Sequence, residues 1–416
     1  MAGHNETGLC YYLPKPERKH TVLHIPGSHT LFVGPSACMR RHAIREEEYG
    51  NRDDVSFLYI SEADVISGKY EQLIADSIDD LINILRPVPY IFFIATFCID
   101  DFLGTDEEAL LDNLKARHPD RQFSAEHIDP VSLEDKKNQG MKKKVNMFSF
   151  IKDGQEKDRG VNFIGTFVPL PAECEFLSLL ESWGAGPVRE LFACKTYEEY
   201  QDMGKSRLNL ALRSLESHSC EYMKSRLGIP YYSFPTSYDA RRIARGYADI
   251  ASLLGAKCED LEKEISECEE DARYTAKLLN GMPVAVDSGA FMNPFAGALA
   301  LLGYGFNVKY IFKPDHPMRE EKEAEGTVRE RYPDTAIAYV KSSKYLYESA
   351  EDEDCMAIGS DCARLLKAKH FVNIWHDEGY FGFYGIRRLM RDIRAAAQKE
   401  TDWSSMPDLN IKRKER

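Results

Sequence analysis

Several things are scarce in this sequence, and each shortage removes a class of function. No apolar run reaches the roughly 18 residues that a membrane-spanning helix needs, so no membrane partner is expected. The first residues, Met1-Ala2-Gly3-His4-Asn5-Glu6, carry neither the basic nor the apolar region of a secretory leader, which predicts a cytoplasmic location. Positive charge is in deficit: 54 Lys and Arg stand against 67 Asp and Glu, a net charge of −13 at pH 7. Such a balance argues against a broad nucleic-acid surface, which would have to offset phosphate charge. The local basic runs, Lys142-Lys143-Lys144 and Lys412-Arg413-Lys414-Glu415-Arg416, read as a solvated loop and a frayed end.

No Gly-x-x-x-x-Gly-Lys-[Ser/Thr] occurs, so ATP binding through a P-loop is not expected. Gly303-Tyr304-Gly305 lacks the third glycine of a dinucleotide fingerprint and follows a helix, so it reads as a helix stop. No Cys-x-x-Cys pair occurs either. A zinc site from Cys10, Cys38, His20 and His24 therefore lacks the usual support, and Pro16 and Pro26 leave little room for a helix carrying both histidines.

What is present is the composition of a soluble globular protein: 416 residues, 43% hydrophobic and 29% charged. That length predicts two or three domains. The ten cysteines, in a cytoplasmic setting, are expected to be reduced, metal-bound or buried. Strand and helix signals alternate. A short strand at Phe57–Ile60 precedes a helical stretch at Tyr70–Leu81, where Leu73, Ile74, Ile78 and Leu81 recur at helix spacing. The continuous apolar run Tyr90–Ala95 suits a strand buried on both faces. Asp135–Gly140 reads as an exposed loop.

Further strands are expected at Val161–Gly165, at Gly228–Tyr232, at Pro283–Asp287 and at Phe306–Phe312. Helices are expected at Glu173–Trp183, Ser237–Leu254, Cys258–Leu279, Asn293–Leu302 and Ile386–Ala397. This alternation points to an α/β protein with three Rossmann-like doubly wound domains, at 8–155, 156–256 and 257–400, a tail at 401–416 and a central cleft.

Three cysteines stand out. Cys10 lies in Gly8-Leu9-Cys10; Cys38 ends Gly34-Pro35-Ser36-Ala37-Cys38; Cys98 follows Ala95-Thr96-Phe97. Each is expected at a turn, and thiols at the carboxyl ends of parallel strands collect at one sheet edge, where open α/β folds place ligands. Three thiolates there suit an iron–sulfur cluster, because soft donors select iron–sulfur or zinc over hard cations. Gly34 would admit close backbone approach to such a cluster and Pro35 would hold the turn. His29, Arg40, Arg41 and His42 are expected nearby, tuning its charge. Glu264, Glu267 and Asp271 share a face of the long helix and read as a solvated surface.

The cysteine order and spacing, with Phe102-Leu103-Gly104-Thr105-Asp106 following Cys98, resemble the nitrogenase component 1 family. Val161-Asn162-Phe163-Ile164-Gly165, Gly228-Ile229-Pro230-Tyr231 and Gly379-Tyr380-Phe381-Gly382-Phe383-Tyr384-Gly385 resemble other recurring segments of it. The resemblance implies that Cys10, Cys38 and Cys98 ligate a [4Fe-4S] or larger cluster, shared with a homologous or identical partner chain. It also implies an ATP-dependent iron–sulfur reductase as electron donor. The implied activity is that of a nitrogenase-like oxidoreductase subunit relaying low-potential electrons. A non-catalytic scaffold for metallocofactor assembly is the alternative, and a binding protein that kept the fold is a third.

The chain departs from the family where cofactor-holding subunits carry a further cysteine and histidine. Arg207–Arg213 contains no cysteine, Cys220 lies too near the following strand, and His376 is too close to Gly379 to match. Arg213 and His376 are instead expected to border the cleft, where an arginine would grip an anionic guest bidentately.

Overall fold

The computed structural model describes residues 2–4 and 9–12 by their backbone, and residues 25–49, 51–128, 145–213, 216–314, 319–339 and 354–402. His20, His24, the loop at 135–140 and both basic runs lie outside the described residues. Helices and strands alternate through three sheets whose pairings are almost all parallel, the α/β class expected from the alternation.

The first sheet has strand order β1-β2-β4-β3-β5-β6. Its members are β1 (Ala2–His4), β2 (Leu9–Tyr12), β3 (Ser28–Gly34), β4 (Val55–Tyr59), β5 (Ile91–Phe97) and β6 (Gln122–Ile128). The last four run parallel, while β2 joins β4 antiparallel and β1 joins β2 antiparallel. β5 is buried at every position, as its unbroken apolar run requires of a strand covered on both faces. One cover is the helix Tyr70–Ile84, which turns Ile74, Ile78 and Leu81 into the core at three- and four-residue spacing.

The second sheet has order β10-β9-β7-β8, from β7 (Val161–Ile164), β8 (Val188–Glu190), β9 (Leu208–Ala211) and β10 (Tyr231–Ser233). Its centre buries polar groups in pairs: Asn162 donates to Asn209 Oδ1 at 2.7 Å, and Ser206 donates to Asn162 Oδ1 at 2.8 Å. The third sheet, order β13-β12-β11-β14-β15, is parallel throughout. It consists of β11 (Pro283–Asp287), β12 (Asn307–Lys313), β13 (Ala336–Tyr339), β14 (Met356–Ile358) and β15 (His370–Val372).

The chain divides into two compact units. Residues 1–169 with 187–233 carry the first two sheets, and residues 170–186 with 234–416 carry the third. The helix Glu175–Ser182 lies in sequence between strands of the second sheet, yet its side chains belong with the third. Phe176 stacks on Tyr247 with ring centroids 4.7 Å apart. Glu175 accepts from the backbone N–H of Phe383 and Tyr384, at 2.7 and 2.9 Å, and from the Tyr247 hydroxyl at 2.8 Å. A carboxylate there complements the positive end of the helix Gly382–Ala397.

Within the same unit, Asp271 pairs with Arg394 at 2.6 Å and Glu267 with Arg387 at 3.6 Å. Two of the three carboxylates expected on a solvated face therefore tie one helix to the next.

Candidate metal centre at the carboxyl edge of the first sheet

β3 ends at Gly34, and the chain swings at Pro35 into the helix Ser36–Tyr49. The Pro35 carbonyl accepts from the N–H groups of Cys38 and Met39 at 3.1 and 3.2 Å, so Cys38 sits in the first helical turn. Gly34 is buried, and a Cβ there would lie 2.7 Å from the Phe97 ring. Its smallness lets the end of β3 press against the end of β5.

β5 ends at Phe97, and Cys98 opens the short helix Ile99–Leu103. Because β3 and β5 are parallel neighbours with Val33 opposite Thr96, their exits deliver Cys38 and Cys98 to the same edge. The two thiols lie within hydrogen-bonding reach. Both are half-buried and free of disulfide bonds. Burial, followed by the neighbouring Cys98, pushes the Cys38 thiol above its ordinary range. Two neighbouring thiols, held by separate strand ends and partly open to solvent, suit a soft metal, whose binding replaces their protons.

Cys10 does not follow the same rule. Its backbone lies inside β2, opposite Phe57 of β4, which in turn lies opposite Phe32 of β3. It is thus within an antiparallel strand and not at a turn, and two strand spacings, about 10 Å, separate β2 from β3. His29 is a second correction. It is buried at the amino end of β3, where its Nε2 lies 2.7 Å from Ser56 Oγ, five residues and roughly 16 Å along the strand from Gly34. Arg40 and Arg41 are exposed on the helix after β3, whereas His42 packs its ring against Phe32 and Phe97, with centroids 5.3 and 5.2 Å away.

Arg213 and His376 lie in different units. Arg213 is buried, its guanidinium 4.4 Å above the Phe167 ring. His376 adopts φ +51°, donates its N–H to Gly289 O at 2.8 Å and stacks on Trp375 with centroids 4.7 Å apart. Of the remaining cysteines, Cys174, Cys220, Cys268, Cys355 and Cys362 are buried. Burial pushes Cys174, Cys194, Cys220 and Cys268 up to about 12, as expected of inert thiols.

Sequence reasoning passed over the polar group behind Cys98. Thr96 on β5 lies opposite His127 on β6, and its hydroxyl joins His127 to Asp100 of the following helix. The pairing joins residues 31 apart in sequence, a distance over which no local pattern speaks.

Three sheets of largely parallel strands alternating with helices define an α/β protein, and the first of them carries a thiol pair at the carboxyl ends of two neighbouring strands. The family described as Nitrogenase component 1 type Oxidoreductase matches residues 19–398, and the chain belongs to it. It is 24% identical over 285 residues to the nitrogenase iron-molybdenum cofactor biosynthesis protein NifE of Clostridium pasteurianum, covering 65% of this chain and 61% of that protein's length. The chain thus spans about three fifths of the curated relative it matches.

Among solved structures, Nitrogenase Cp1 at pH 6.5 superposes with a TM-score of 0.70 at 15% identity, over 93% of this chain and 94% of that one. Nitrogenase Cp1 at pH 5 gives 0.58 at 13% identity, over 95% and 92%. At these identities the likeness is one of fold. No helix among the described residues is long and apolar enough to cross a membrane.

Proposed function

We propose that this chain is the cluster-bearing subunit of a nitrogenase-like oxidoreductase. Cys38 and Cys98 supply thiolate ligands to an iron–sulfur cluster and Cys10 a third. The observation that carries this reading is the thiol contact at the joined ends of β3 and β5. A bound cluster would supply low-potential one-electron transfer, tuned by charge and hydrogen bonding around its sulfurs. Gly34 and Pro35 set the turn that aims Cys38, and the half-buried edge limits water while leaving room for a partner.

Three thiolates fall short of the four protein ligands that a four-iron cubane normally takes. A homologous or identical chain therefore completes the [4Fe-4S] or larger centre. No phosphate-binding loop is present in this sequence, so ATP-driven electron delivery belongs to a separate iron–sulfur reductase.

Anoxic purification tests the centre and its sharing. A brown, iron-rich dimer or tetramer is expected; an iron-free protein, or a stable holo-monomer with an intact cluster, overturns the reading. Reductase and ATP should then support turnover.

A second reading is favoured by the likeness to the cofactor biosynthesis protein: a scaffold that assembles a metallocofactor and passes it on. In that case purified holoprotein gives no turnover with reductase and ATP, but reconstitutes an apo acceptor subunit.

A further inference from the structure

We propose that Asp100, Glu107 and His127 form a second metal site, built of oxygen and nitrogen donors, for one divalent first-row ion such as Mn²⁺, Fe²⁺ or Zn²⁺. One ligand atom from each of the three lies within 4.8 Å of the other two.

Three consecutive elements build the group. β5 and β6 pair in parallel register, which sets His127 beside Thr96. The short helix after Cys98 then places Asp100 one turn along from Thr96, and its end at Gly104, with φ +63°, turns the chain back. Asp106 caps the next helix through the Ala109 N–H at 3.0 Å, so Glu107 opens that helix above the same strand ends.

One pair has a spacing that a single ion can span. His127 Nδ1 lies 4.0 Å from Asp100 Oδ2. Metal–oxygen and metal–nitrogen bonds of about 2.0–2.2 Å place two ligand atoms no more than about 4.4 Å apart. The Thr96 hydroxyl bridges the pair at 3.3 Å on each side, long contacts that hold the two groups without closing the space between them.

A second observation is independent of that spacing. The Asp100 side chain is 6% exposed, and its Oδ1 is buried without a hydrogen-bond donor. The Tyr70 hydroxyl, its pKa raised first by burial and then by the nearby Asp100, makes no hydrogen bond of normal geometry either. A carboxylate oxygen withdrawn from water with no donor is costly, and buried charges in proteins are paired or coordinate metals.

The donor set also separates this site from the thiol pair. Carboxylates suit Mn²⁺ and other hard ions, imidazole suits Zn²⁺ and Fe²⁺, and thiolates suit softer centres. Glu107 and His127 are half-buried, which leaves an entry path. The proposal does not depend on the cluster.

Mn²⁺ is the probe, because thiolates compete poorly for it. Full-length protein titrated under anoxia and followed by electron paramagnetic resonance should bind about one Mn²⁺ per chain, with nitrogen coupling from an imidazole. Asp100→Asn should weaken binding at least about tenfold, and His127→Gln should abolish the nitrogen coupling. Glu107→Gln, at a half-buried helix start, repeats the test outside the buried core. No Mn²⁺ bound, binding unchanged in both carboxylate variants, or a bound ion without nitrogen coupling each overturns the site. Iron content at Cys38 and Cys98, measured on the same samples, reports the cluster separately.

Discussion

Two cysteines occupy the same local position in two different sheets. Cys38 is the third residue of the helix that follows β3, after Gly34 and Pro35; Cys362 is the third residue of the helix Ser360–Leu366 that follows β14, after Gly359. Both strands are parallel and both have a parallel neighbour. What differs is how that neighbour ends. β5 ends in Phe97 and Cys98, and presents a second thiol. β11 ends in Asp287, whose carboxylate accepts from the N–H groups of Asp361 and Cys362 at 2.9 Å each and of Ala290 at 2.8 Å. Burial, ahead of the nearby acidic group, raises the Asp287 carboxyl.

The Cys362 thiol is fully buried and directed at the carbonyls of Gly359 and Ile358, at 3.3 and 3.5 Å. Its own acidity is suppressed, chiefly by burial and then by Asp287. One strand end thus makes a half-buried thiol pair and the other a sealed structural turn. A strand–turn–helix cysteine is a ligand candidate only when the adjacent strand delivers a second donor and leaves the edge open.

The comparison breaks most visibly in iron content. Cys38→Ala or Cys98→Ala should remove most of the iron and the visible charge-transfer absorbance of anoxic protein, while Cys362→Ala keeps both. Full iron in Cys38→Ala and Cys98→Ala alike would end the assignment.

The next effect is on stability and falls on the other sheet. Asp287→Ala leaves three backbone donors without their acceptor, so urea unfolding should show a loss of about 3 kcal/mol or more. Iron per folded chain should not change. Loss of iron in folded Asp287→Ala protein would mean that the two strand ends are not independent.

Gly34→Ala tests the joint between β3 and β5. The new methyl meets the Phe97 ring, which must shift, and overpacking of this kind costs about 1–3 kcal/mol. The same shift should loosen the Cys98 turn and lower iron occupancy partway. An unchanged unfolding midpoint would show that the strand ends are less tightly joined than they stand here.

The smallest effect is a slope. The Cys38 proton is held more tightly than an ordinary thiol's, so a metal must displace it throughout the neutral range. Affinity of the iron-free chain for Cd²⁺ should rise with pH until the solution passes the raised pKa, by up to about tenfold per pH unit for each proton released. Cys38→Ser should flatten that rise. An equal slope in both proteins would show that Cys38 releases no proton on binding.

Much of this architecture was legible in the residues. The apolar run Tyr90–Ala95 reads as a strand buried on both faces, and the strand runs from Ile91 to Phe97, buried throughout. Tyr70–Leu81 reads as a helix because its apolar residues recur every three or four positions, and the helix runs on to Ile84. Gly34-Pro35 marked a turn and two of the three cysteines stood beside strand ends. These are local properties, set by periodicity and by the backbone freedom of glycine and proline.

Tertiary pairing decided the rest. The adjacency of β3 and β5 joined Cys38 to Cys98, while the antiparallel pairing of β2 took Cys10 off the rule. Strand direction placed His29 at the far end from the thiols, although it is nine residues from Cys38 in sequence. The register of β5 against β6 assembled Thr96, Asp100 and His127. Side-chain packing drew the helix Glu175–Ser182 to the third sheet's unit. A run of residues encodes which of its faces seeks burial, but not which distant strand will cover it; that choice belongs to the chain as a whole, where hydrogen-bonding edges and apolar faces find their partners together.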